Sequence, residues 1–258
     1  VLKLSKIRDL ALTAAFHRHV VVNPPSAFFS GATVVCVVIA ALNPINSTLS
    51  RGALLACLGL AAVTLARRLH PRYPRAVKIT VSALLGLTLL IGLLPGRPAN
   101  PNTLRARYLS ALTTFEGTRY IWGGEGRFGI DCSGLPRRAL RTALVREALV
   151  TANPALLRQA LSQWWFDASA RALSQGYRSF TQPLPVEGTL KKLVTSALLP
   201  GDLAITHDGI HLIVYLGEDR WIQADPSHQK VVTLNAKTDT NLWFNIGVSL
   251  HRWSLFTP

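Results

Sequence analysis

The sequence predicts an α+β chain: an all-α, membrane-spanning front third, then a domain in which a Cys-bearing helix packs on an antiparallel sheet. Three observations carry this. Residues 1–96 hold three long apolar runs; a Gly-rich loop leads into a helical pattern after Cys132; and beyond Pro200 short alternating segments replace helical ones.

The apolar runs are Ala27 to Leu42, Gly52 to Ala66 and Ile79 to Leu94. Each is somewhat shorter than the roughly twenty residues that cross a hydrocarbon core, and Val20 to Val22 extend the first. They lack the polar face of a surface helix, although a soluble helical domain is the competing reading. Charge placement favours the membrane. Lys3, Lys6, Arg8 and Arg18 precede the first run, and Arg67, Arg68, Arg72, Arg75 and Lys78 lie between the second and third, whereas Asn43 to Arg51 carries one Arg. Basic loops stay on the cytoplasmic side, so three crossings leave everything after Leu94 outside. Leu4 to Phe16 reads as an interfacial amphipathic helix with Leu4, Ile7, Leu10 and Ala11 on one side. The bilayer is thus a partner through residues 20–95.

Net charge divides as +9 over residues 1–96 and +6 over the remainder. The basic residues of the first part sit between apolar runs, with no basic, aromatic-interleaved stripe, so no nucleic-acid partner is expected. Three cysteines form no disulfide framework. Cys36 and Cys57 fall inside apolar runs and read as small fillers among packed helices, which leaves Cys132 unpaired.

Residues 97–102 read as a linker with two prolines, so the domains divide as 1–96 and 103–258. Thr103 is the expected cap of a helix to about Phe115. Arg137 to Val150 is helical in pattern, with Pro136 in the first turn. Pro154 to Tyr177, carrying Trp164 and Trp165, is a second helical stretch inside an insertion of about 150–190, and reads as core packing or as one wall of a groove. Strands follow at Leu203 to Thr206, Ile210 to Leu216, Trp221 to Ala224, Lys230 to Leu234 and Ile246 to Trp253.

Cys132 at a helix start is either a buried structural residue or a reactive thiol, since helix N-terminal N–H groups lower a thiol pKa. His211 opens a strand seventy-nine residues downstream, and Gln223 lies across the Gly217 hairpin. Gln223 is placed to hold one imidazole nitrogen while the other deprotonates Cys132, the logic of a catalytic triad. His207 and His211 are four apart, a metal-ligand spacing on a helix but not on a strand; no metal or cofactor is expected, and His207 and His228 read as exposed turn residues.

The segments Tyr120-Ile121-Trp122-Gly123-Gly124, Asp131-Cys132-Ser133-Gly134-Leu135, Pro200-Gly201-Asp202-Leu203 and His211-Leu212-Ile213-Val214-Tyr215-Leu216-Gly217 together resemble the NlpC-type cell-wall peptidases, papain-like cysteine hydrolases. The resemblance covers about residues 103–253. It implies that Cys132 is the nucleophile, His211 the general base and Gln223 the orienting residue. It also implies that Tyr120 lies near the oxyanion, and that Trp122, Asp131 and Ser133 join it in contacting substrate. The implied activity is cleavage of peptidoglycan stem peptides, typically after D-γ-glutamate, through a thioester acyl-enzyme. That places the chain in a bacterial cytoplasmic membrane with its catalytic domain outside. The sequence departs from the family at Leu212-Ile213-Val214, in the long Cys-to-His separation, and in Gln at the orienting position. Two alternatives stay open: an acyl hydrolase or transferase acting on another, lipid-linked substrate, and a catalytically silent envelope scaffold.

Overall fold

The structure, a computed structural model, describes residues 24–257. The amphipathic segment expected at Leu4 to Phe16 lies outside them. The described chain opens with three helices, α1 (Pro24–Leu42), α2 (Thr48–Leu69) and α3 (Pro74–Leu93). Two of these, α2 and α3, are long and apolar enough to cross a membrane, with mean hydropathies of 1.8 and 2.0. Their leucines point outward: Leu60, Leu65, Leu84 and Leu89 are all more than half exposed. Cys36 is likewise exposed and Cys57 half-buried, so neither fills a packed helical core as their apolar surroundings suggested.

The rest is an α+β unit. Helix α4 (Pro101–Thr113) starts at a proline, capped by the Asn100 side chain, which accepts from the Asn102 and Thr103 N–H groups. Thr103 is therefore inside the helix rather than at its cap: Pro101 is suited to the first helical position, and that moves the cap one residue before it. A two-residue hairpin, β1 (Glu125–Gly126) with β2 (Gly129–Ile130), leads into α5 (Gly134–Thr151). The predicted long helix after it breaks in two. Helix α6 (Pro154–Trp165) stops at Phe166, whose backbone is extended, and α7 (Ala170–Ser174) follows as a single turn.

Six strands form one antiparallel sheet: β3 (Thr181–Thr189), β4 (Leu203–Thr206), β5 (Leu212–Gly217), β6 (Arg220–Asp225), β7 (Lys230–Asn235) and β8 (Gly247–Trp253), ordered β3-β8-β4-β5-β6-β7. β3 is an edge strand that the sequence did not reveal; Pro183 and Pro185 interrupt its pattern, and its register slips between Pro183 and Glu187. Side chains alternate across the sheet. Leu203, Ile205, Leu212, Val214, Ile222 and Ala224 join the helix-side core with Leu135, Leu140 and Leu144 of α5. Ala204, Ile213, Tyr215, Trp221 and Leu250 join Phe244 and Leu193 on the other face. Each leucine buried fully in this way contributes roughly 1.5–3 kcal/mol relative to exposure.

The helical front and the α+β unit touch at one end of the helices. Pro44 to Asn46, between α1 and α2, lies along the Gly123–Glu125 loop. Ile45 bridges Gly124, the Asn46 N–H donates to the Gly123 carbonyl at 3.0 Å, and the Glu125 N–H donates to Pro44 at 2.9 Å. Arg51 is almost wholly buried here, donating to the Asn46 and Trp165 carbonyls. At the end of α3, the Arg158 guanidinium donates to the Ile91 and Leu94 carbonyls at 2.6 and 2.8 Å, satisfying acceptors that a helix end leaves free. The basic turn between α2 and α3 lies at the opposite end of those helices.

Candidate active site

Asp131 builds the loop that carries Cys132. Its carboxylate accepts from the Gly123 N–H at 2.8 Å, the Ser133 hydroxyl at 3.0 Å and the Gly134 N–H at 2.6 Å. One side chain thus ties the Trp-Gly-Gly turn to the first residue of α5 and fixes Cys132 between them. Burial raises the Asp131 pKa above the usual carboxylate value, although these three donors oppose the shift. The glycines are required by contact: a Cβ on Gly134 would lie 2.3 Å from the Gly124 carbonyl oxygen, and Gly123 has φ +73°.

Cys132 is 6 % exposed. Its thiol donates to the Ile210 carbonyl at 3.6 Å and accepts from the Leu212 N–H, so it rests against the backbone on either side of His211. Burial, with the Asp131 charge adding to it, pushes the thiol pKa up to about 12. The expected lowering at the helix start is overturned: the Leu212, Ser133 and Cys132 N–H groups do favour the thiolate, but desolvation is the larger effect.

His211 sits immediately before β5 rather than within it. Its Nε2 lies 2.6 Å from Gln223 Oε1, and both residues are buried. With the amide oxygen facing it, Nε2 carries the proton and Nδ1 is the basic nitrogen. Burial depresses the imidazole pKa to about 4, opposed by the Gln223 hydrogen bond and by the Asp225 and Asp208 charges. Among the described residues the resting thiol bonds to Ile210, not to the His211 ring.

Trp243 was missed in the sequence. Its ring stacks on the His211 imidazole, 4.0 Å between centroids and 18° from parallel. It is carried by a 3-10 turn, Leu242–Asn245, capped by Asn241, whose Nδ2 donates to Asp225 at 2.6 Å. Asp225 also meets His228 Nδ1 at 2.8 Å. Burial alone would raise the Asp225 pKa; His228, Asn241 and the Ser227 N–H together hold it below its ordinary value. No spacing in the sequence singled out Trp243, because its partner is set by the sheet.

A cleft of about 440 Å³ opens beside Cys132, lined by Tyr120, Trp122, Asp131 and Ser133. Neither His211 nor Gln223 lines it; both are buried. Tyr120 is half-buried, with its hydroxyl pKa raised by burial and then by the neighbouring Cys132 and Asp131 charges. Trp122 is largely exposed on the rim, while the Ser133 hydroxyl is committed to Asp131. The cleft has a wall the sequence did not announce: Asn46, from the turn between α1 and α2. Asn46 bonds to Glu125, which Arg137 and Arg141 also engage. Burial alone would raise the Glu125 pKa, but the two guanidinia outweigh it and hold it low.

His207 is exposed, 3.7 Å from Glu187, and shares no helix with His211; among the described residues no three His, Cys, Asp or Glu side chains converge as a metal site.

A model of the NlpC/P60 family matches residues 117–246, half of the chain and all of the site above except Asn46. The chain belongs to the NlpC/P60 family. Members of that family are cysteine peptidases and amidases that hydrolyse peptidoglycan. Solved structures similar to this NlpC/P60 protein include NlpC1 of Trichomonas vaginalis, at 18% identity over 61% of this chain and 46% of that one, with a TM-score of 0.39. NlpC2 of the same organism is similar at 18% identity over 60% and 49%, with a TM-score of 0.39. The peptidoglycan hydrolase RipB of Mycobacterium tuberculosis is similar at 19% identity over 71% and 88%, with a TM-score of 0.37. This chain therefore spans about half the length of the two Trichomonas chains. No curated protein matches it.

Proposed function

We propose that this NlpC/P60 protein is a membrane-anchored cysteine amidohydrolase that cleaves peptidoglycan stem peptides with Cys132, His211 and Gln223. The observation that carries the reading is the held imidazole: Gln223 occupies Nε2 at 2.6 Å, which leaves Nδ1 as base one residue from the carbonyl that the Cys132 thiol touches.

The resting pair is a neutral thiol and a neutral imidazole, so proton transfer accompanies attack. The thiol leaves the Ile210 carbonyl, His211 Nδ1 takes its proton, and Sγ attacks the amide carbonyl carbon. The Cys132 N–H and the Tyr120 hydroxyl stabilise the oxyanion. The imidazolium then protonates the leaving nitrogen as the C–N bond breaks, giving an amine and a Cys132 thioester. Nδ1 next deprotonates water, which attacks the thioester; the acid product leaves and the thiol regains its proton. Tyr120, Trp122 and Asp131 bound the substrate, Asp131 through the loop it holds.

The anchor is formed by α2 and α3 with α1 as a third crossing, the basic turn at 67–78 facing the cytoplasm and the catalytic domain outside. Supporting this, the domain is docked at the ends of the helices away from that turn. A second reading, hydrolysis of an acyl or amide bond on a lipid-linked substrate, is favoured by one observation: Asn46, four residues from the end of α1, lines the cleft.

The test is digestion of purified muropeptides by the full chain in detergent, with products identified by mass. New amine and carboxyl ends within stem peptides are expected, and Cys132→Ala abolishes them. Cleavage that survives the substitution sinks the assignment.

A further inference from the structure

The junction between α3 and the catalytic unit contains a second cavity, of about 620 Å³, that the hydrolase chemistry does not use. Its walls are α5 and α6, and its floor is Ile91 in the last turn of α3. One side is basic, with Arg138, Arg141 and Arg146; the other is apolar, with Leu161 and Trp164. Arg141 is committed to Glu125. Arg138 and Arg146 are exposed, and among the described residues neither has an acidic partner. A neighbouring cavity of about 360 Å³ shares Arg138, Arg141 and Trp164 and reaches Ala40 and Ala41 in the last turn of α1.

The position of this groove is what gives it meaning. Arg158 fixes the end of α3 against α6, so the apolar surface of α3 runs directly into the groove. On the anchoring described above, the outer boundary of the hydrocarbon falls at about this level, and lipid phosphates lie just beyond it. Leu161 is exposed and Trp164 half-buried; an indole at that depth is suited to a membrane interface. Two unpaired guanidinia above an apolar floor complement an anion carried on a hydrocarbon chain, since Arg binds phosphate oxygens through its planar fork and keeps its stem on apolar surface.

We propose that this groove binds the phosphate headgroup of an anionic membrane lipid, with Arg138 and Arg146 on the phosphate and Ile91, Leu161 and Trp164 against the upper acyl chain. The inference rests on the anchored reading of α2 and α3. A lipid held there fixes the catalytic unit on the bilayer and sets the height of the Cys132 cleft above it.

The full chain is reconstituted in nanodiscs of phosphatidylcholine with phosphatidylglycerol, and the lipids that stay bound after transfer to detergent are counted by native mass spectrometry. Wild-type protein is expected to retain phosphatidylglycerol preferentially. The doubly substituted Arg138→Ala/Arg146→Ala protein should bind it about thirtyfold more weakly, from the attraction of two basic residues to an anionic surface, and Arg138→Lys/Arg146→Lys should recover only part of the loss, since Lys keeps the charge without the planar fork. Muropeptide cleavage in detergent, unchanged in the Ala variant, reports that the fold is intact. Equal retention of the two lipids, equal retention by wild type and the Ala variant, or displacement by inorganic phosphate at matched ionic strength overturns the proposal. A chain that does not enter nanodiscs overturns the anchoring and this site with it. Selective retention without any muropeptide cleavage supports the lipid site while contradicting the hydrolase reading alone.

Discussion

The two halves of the proposed catalytic site are built differently. The Cys132 half is local: the Gly123–Gly124 turn, Asp131, Ser133 and Gly134 lie within a dozen residues around Cys132, and the Asp131 carboxylate accepts from Gly123, Ser133 and Gly134. The base half is assembled across the sheet: His211 before β5, Gln223 and Asp225 on β6, and Trp243 on a later turn. A half held by one buried anion is sensitive to one substitution. A half held by a stack, a hydrogen bond and a remote network loses function in steps.

Among the residues that hold the two halves in place, the largest effect is therefore expected at Asp131. Asp131→Ala leaves three donors without their acceptor, each costing about 1–3 kcal/mol where buried. Muropeptide turnover should fall at least about a hundredfold, since misplacing a nucleophile by about an ångström costs that much, with a lowered melting temperature. Asp131→Asn retains part of both, because an amide keeps one acceptor oxygen.

Next comes Gln223. Gln223→Leu frees the imidazole, and turnover should drop about ten- to a hundredfold, less than for loss of the nucleophile. Gln223→Glu places a carboxylate at Nε2, which favours the imidazolium. The acidic limb of kcat/KM should move upward from about pH 4, so activity at pH 5 falls relative to pH 7. An unchanged limb would show that Gln223 does not set the protonation of His211.

Trp243 should have the smaller catalytic effect. Trp243→Phe keeps a ring on the imidazole and should cost only a few-fold in turnover, within the range of one stacking contact. Trp243→Ala admits water, which relieves the desolvation that depresses the His211 pKa, and the acidic limb should again move upward. Unaltered pH profiles in both variants would make the stack incidental.

The same depressed pKa predicts a stability signature. His211 binds a proton near pH 6.5 when unfolded but near 4 when folded. The unfolded state thus binds more protons between these values, and stability falls as pH drops through that window. Thermal melts at pH 4 and 6.5 should show a steeper acid loss in wild type than in His211→Asn. Parallel losses would place the imidazole in solvent.

This division also explains what was legible in the sequence. The glycines, the Asp-Cys-Ser-Gly core and the helix after it are contiguous, so their geometry follows from local backbone rules. The α+β class and the antiparallel sheet could be read from the change of period after Pro200. His211 and Gln223 were accessible because a short hairpin relates them. Trp243 and Asn46 were not, since each meets the site only through tertiary packing; the Asn46 contact to Glu125 spans seventy-nine residues. The Cys132 pKa went the wrong way for a similar reason. Helix-end N–H groups are visible in a sequence, whereas the burial that outweighs them is not. β3 escaped because its two prolines disguise a strand that a sheet edge tolerates.

On the proposed mechanism, Cys132 carries the acyl group after His211 removes its proton. This is tested most directly by acid-quenching the enzyme during turnover of a muropeptide and measuring the mass of its Cys132 peptide. An acyl adduct is expected on that peptide, sensitive to hydroxylamine and absent from Cys132→Ala and His211→Ala. Continued turnover by Cys132→Ala, or an adduct on another residue, would contradict it.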